Sequence, residues 1–83
     1  MNYKAYMYMI RRSVDRIKLN IKGYDEETLG DIALVHVGLE LRQIGCIIDE
    51  AYDLRQITYN MYHLLKKWYS KYYDKVIHDV IWL

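Results

Sequence analysis

Apolar residues recur along this chain at helical spacing in three stretches. In the first, Tyr3, Met7, Ile10, Val14, Ile17 and Ile21 follow steps of four and three, and Tyr6 widens the stripe. The pattern predicts a helix from Asn2 to about Leu19. Lys22-Gly23-Tyr24-Asp25 then reads as a break, because glycine closes a helix in the left-handed conformation and a basic side chain suits a helix C-terminus. Asp25 or Thr28 is expected to cap the next helix, with acidic residues in its first turn.

The second stretch, Thr28 to Tyr52, is apolar on two sides. One stripe runs Ala33, Leu34, Val37, Leu41, Ile44, Ile48 and Tyr52; a narrower one carries Val35, Leu39 and Cys46. A helix with one wet face shows one stripe, so two stripes predict a central helix with neighbours on both sides. Gly38 and Gly45, seven apart, lie one above the other and predict a groove for a close neighbour.

The third stretch is the most regular. Leu54, Ile57, Met61, Leu64, Leu65, Trp68, Tyr69, Tyr72, Val76, Val80 and Leu83 share a broad face, while Tyr59, Ile77 and Ile81 fall on the polar side. Asp49 to Asp53 is a weak joint, and Asp53 with Gln56 outlines a capping box. A break there makes a small three-helix bundle; no break makes a long helical hairpin that must dimerise. The fold expected is therefore all-α, in one domain spanning 1–83. The alternative is α+β, with Ile17–Lys22 paired to Leu34–Arg42 as a hairpin, since both segments also alternate apolar and polar residues.

Composition changes the picture in two ways. Of 83 residues, 53% are hydrophobic, more than a lone small domain easily hides, which points to self-association as a homodimer. Ten are Tyr and none is Phe, and tyrosine suits half-buried positions and interfaces. One cysteine excludes an internal disulfide, and Cys46 in an apolar stripe reads as a small buried hydrophobe. The N-terminal residues lack the order of a secretory signal and no run is long enough to span a membrane, so a cytoplasmic protein is expected.

Net charge is +1 but segregated. Residues 1–22 hold six basic groups against Asp15, residues 23–56 hold eight acidic against Arg42 and Arg55, and residues 57–83 hold four lysines against Asp74 and Asp79. This order either matches segments to one another inside a bundle or leaves a basic surface for an anionic partner.

Catalytic chemistry finds little footing. There is no glycine-rich phosphate loop and no cysteine spacing for zinc. His36 and Glu40 share a helix face but lack a third ligand, His63 and His78 sit on a polar face, and Ser13 and Ser70 have no base near in sequence. No enzyme, cofactor or metal is expected. The reading is a binding protein acting by protein–protein contact, which in size and composition resembles the small accessory, regulator or inhibitor proteins of phages and mobile elements. Nucleic acid, RNA or DNA, is the alternative partner. For it, Arg11, Arg12, Arg16, Lys18, Lys66, Lys67 and Lys71 supply charge with Tyr8, Trp68, Tyr69 and Tyr73 interleaved, although Trp68 and Tyr69 fall on the core-facing side; Tyr59 on the polar side adds a ring that hints at a partner. A membrane surface engaged through Trp68 and Trp82 ranks third.

Overall fold

The computed structural model describes residues 2–26 and 30–81, the side chain of Ile81 excepted. Three helices follow one another: α1 Tyr3–Asp25, α2 Ile32–Asp53 and α3 Tyr59–Ile81. No strand occurs among the described residues, so the fold is an all-α three-helix bundle and the α+β alternative falls. Burial shows why. Ile17 is fully buried and Ile21 half-buried, while Leu19 between them is 66% exposed. Val37 and Leu41 are buried, whereas Val35 and Leu39 are exposed. A strand would put each alternating set on one face; the period of four separates them.

The ends of the helices differ from the sequence reading. Asn2 caps α1, its side-chain oxygen accepting the Ala5 amide at 3.0 Å. α1 runs through Gly23, which is helical and buried, to Asp25. Gly23 is therefore no terminator, and Asp25 closes one helix instead of opening the next. Gly30, with φ of +64°, is the glycine that takes the left-handed turn, just before α2. α2 begins at Ile32, four residues beyond Thr28, which lies outside the described residues along with Trp82 and Leu83.

The joint after α2 is a true break, made by Arg55. Its φ is +57°; its amide bonds the Tyr52 carbonyl at 2.9 Å, and the next amide, of Gln56, bonds that of Ala51 at 2.8 Å. This is the paired closure usually given to glycine, here built on an arginine. The Asp53–Gln56 capping box does not form, since Asp53 is the last residue of α2 and Gln56 donates its side-chain amide to the Leu54 carbonyl. Thr58 caps α3 instead, its hydroxyl accepting the Met61 amide at 3.2 Å.

α2 is the shared helix. Arg16 meets Glu40 on the α1 side, and on the other side Tyr62 meets Asp49 while Tyr69 meets Leu41. On α3 the numbers rise as those on α2 fall, so the two helices run antiparallel. α1 and α2 supply nearly all of the fully buried core, through Tyr6, Ile10 and Ile17 against Val37, Leu41, Ile44, Ile47, Ile48 and Ala51. α3 adds Val76, with Ile57 just before it, and otherwise packs through half-buried side chains.

Most of the face expected for α3 does pack inward: Met61, Leu65, Tyr69, Tyr72, Val76 and Val80 lie in or against the core. The helix is rolled only part of the way from it. Tyr62, outside that face, and Ile77, expected on the polar side, also pack against the core, while Leu64 turns outward at 62% exposure and Trp68 lies at the edge. Leu54, at the C-cap of α2, is 56% exposed. The Tyr62 hydroxyl accounts for the roll: it donates to Asp49 at 2.9 Å, as Tyr69 does to the Leu41 carbonyl at 2.8 Å, so both half-polar side chains point inward where acceptors exist.

Candidate interaction surface on the second helix

α2 places one apolar stripe in the core, and its second stripe faces out. Ile32, Val35 and Leu39 are 59%, 58% and 60% exposed, and Cys46 is exposed as well. The expectation that Val35, Leu39 and Cys46 lie against a neighbour, with the thiol buried, is corrected here. α1 docks on one flank of α2, at Glu40, and α3 on the other, at Gly45 and Asp49, and the arc left between these flanks on the side away from the core stays uncovered. Along that side Ile32, Val35, Leu39, Arg42 and Cys46 follow steps of three, four, three and four, the seam spacing of paired helices. Arg42 within the seam was the available signal that it is not a core stripe, because an unpaired buried arginine is costly.

The two glycines behave differently. Gly45 does admit a neighbour: a methyl group there would lie 3.2 Å from the Tyr69 hydroxyl oxygen and 3.3 Å from its ring. Gly38 has nothing within 4 Å and is exposed beside the outward ridge.

The residues considered for nucleic acid do not assemble as one set. Arg16 donates Nε and Nη2 to the Glu40 carboxylate at 2.7 and 3.2 Å, and Nη2 also reaches Ser13 Oγ at 3.2 Å. The hydrogen bond to Glu40 raises the guanidinium pKa further, and Arg16 Nη2 gives the buried Ser13 hydroxyl a donor. On the other flank Lys66 meets Asp49 at 3.3 Å and lies over the Tyr62 and Tyr69 rings. One cation from each outer helix is thus held by an acid of α2. Tyr8 accepts a 3.0 Å hydrogen bond from Arg12 on exposed α1 surface, and Arg11 shares a shallow hollow with Tyr3, Lys4, Met7 and Tyr8. Lys18 lines a hollow with Lys22 and Asp79. Lys67 and Lys71 are exposed on α3; Tyr59 packs edge-on to Tyr52, and Tyr73 edge-on to Tyr69.

Four tyrosines are shifted upward. Burial is the main cause for Tyr6, Tyr69 and Tyr72, with Glu50, Tyr73 and Asp15 adding to it in turn. For Tyr62 the leading cause is its hydrogen bond to Asp49, followed by burial. Tyr6 is fully buried and its hydroxyl has no hydrogen-bond partner. Glu40, considered with His36 as a ligand pair, is taken by Arg16, and among the described residues no group of three or more His, Cys, Asp or Glu could hold a metal ion. No helix among them is long and apolar enough to cross a membrane. No family model, curated protein or solved structure matches the chain.

Proposed function

We propose that this protein is a non-catalytic binding module that acts by protein–protein contact, with the outward ridge of α2 as its contact surface. One observation carries the reading: Ile32, Val35 and Leu39 stand in line, each more than half exposed, on the helix that organises the core. A contiguous apolar line on a rigid element is a recurrent mark of interfaces. Such a module works as a regulator or inhibitor by covering a partner's working surface.

The nucleic-acid alternative has less to draw on, because two of its seven cations, Arg16 and Lys66, are bonded to acids of α2. Affinity purification from the native host, with and without nuclease, separates the two readings. Under the proposal a protein is recovered after nuclease treatment and lost from a Leu39→Glu bait. Recovery that depends on nucleic acid and ignores Leu39→Glu overturns it.

A further inference from the structure

From the pattern on the ridge we infer that its occupant is a second copy of this chain, docked as an antiparallel pair of α2 helices about a two-fold axis at the level of Val37. This rests on the reading of the ridge as a protein contact surface and names what covers it. A two-fold interface must be self-complementary, with each residue meeting a mate whose contact is repeated in reverse. In this register Val35 of one copy seats against Leu39 of the other, and Leu39 against Val35. Ile32 falls beside the stem of Arg42, and the guanidinium reaches Asp31 of the second copy. Ile32, Asp31 and Arg42 are all exposed in the single chain, so these surfaces are free to pair.

Charge selects the direction. A parallel pair would set Arg42 against Arg42 and Asp31 against Asp31, whereas the antiparallel pair brings each guanidinium toward an aspartate, an opposite-charge match. Gly38, with open space where a side chain would be, leaves room beside the seam for the second helix.

Sedimentation and thiol cross-linking test this together. The full chain at tens of micromolar, a range set by ordinary interface affinities, sediments as a dimer. Leu39→Glu and Val35→Lys, both at exposed positions and checked for retained helicity, weaken dimerisation at least ~10-fold because each buries an unpaired charge. In a Cys46→Ser background, a mixture of Val35→Cys and Leu39→Cys chains forms mixed disulfides faster than either chain alone. Native Cys46 does not cross-link, since eighteen helical residues at 1.5 Å each hold the two thiols about 27 Å apart. A chain that stays monomeric overturns the proposal, as does rapid Cys46–Cys46 or Val35→Cys self-linking, which is the parallel arrangement. If the chain is monomeric but Leu39→Glu still abolishes capture of a protein partner, the contact reading stands and only the second copy falls. If Leu39→Glu leaves both association and capture intact, both fall.

Discussion

Gly38 and Gly45 stand seven residues apart on one helix, and changing each to alanine separates two physical effects. An alanine in a helix interior is favoured over glycine by about 0.5–1 kcal/mol, mainly by removing freedom from the unfolded chain. At Gly38 nothing lies within 4 Å of the new methyl, so the full gain is expected. For a domain of this size it raises Tm by roughly 2–8 °C. At Gly45 the methyl meets the Tyr69 hydroxyl oxygen at 3.2 Å and Cζ at 3.3 Å. The ring cannot retreat freely, because that hydroxyl is bonded to the Leu41 carbonyl at 2.8 Å. Stretching this bond forfeits about 1 kcal/mol, which cancels the gain. Gly45→Ala should therefore leave Tm unchanged or lower it, about 1 kcal/mol or more below Gly38→Ala. In a Tyr69→Phe background, where the nearest atom and its tether are gone, part of the Gly45→Ala gain should return as a coupling of about 0.5–1 kcal/mol. Thermal and urea unfolding followed by circular dichroism, at one low protein concentration so that association does not shift Tm, reads all four variants. Equal stabilisation by the two alanines would refute the seating of Tyr69 on Gly45.

Three further outcomes follow from the same structure. Tyr6→Phe should raise Tm by a few degrees, because the buried hydroxyl loses water on folding and gains no partner; a lower Tm would mean that a bond is made there. Stability should fall with alkaline pH. Tyr6, Tyr62, Tyr69 and Tyr72 are all raised above the ordinary 10.0, so above that value the unfolded chain binds fewer protons than the folded one. Their contribution is fully present below 10.0 and lost as pH rises through the folded values; urea titrations across that range read it, and a flat profile contradicts it. At the α2–α3 joint, Arg55→Gly should be more stable than Arg55→Ala by about 1 kcal/mol. Both lose the guanidinium 5.1 Å above Tyr52, but only glycine takes the left-handed conformation without strain; equal midpoints in urea would count against that closure.

The helices were legible in the sequence because their spacing is a local property. Ile10, Ile17, Val37, Leu41 and Ile48 stand where the periods put them, and the strand reading failed at Leu19, Val35 and Leu39, which turn away from their alternate neighbours. Chain breaks were harder to place. Gly23 looked like a terminator and is helical, while the closure after α2 falls on Arg55, a residue type with no left-handed preference. On α3 the expected face held at Met61, Leu65, Tyr69, Tyr72, Val76 and Val80, but apolarity alone also favoured Leu64 and Trp68, whereas an acceptor on α2, Asp49, drew Tyr62 inward. Which cations remain available depends on Glu40 and Asp49, 24 and 17 residues away from their mates. The second stripe of α2 reads in sequence as a surface for a neighbour; only the docking of α1 and α3 on the two flanks of its first stripe shows that it faces out.

The proposed contact surface is that outward stripe of α2, and the native thiol of Cys46 reports on it directly. In dilute protein, where copies are apart, Cys46 should react with a small maleimide at close to the rate of a free thiol, and so should cysteines placed at Val35 or Leu39 in a Cys46→Ser background. A cysteine at the buried Ile44 should react only as the chain unfolds. If Cys46 is as protected as position 44 under those conditions, the stripe lies inside the fold and the contact surface assigned to it does not exist.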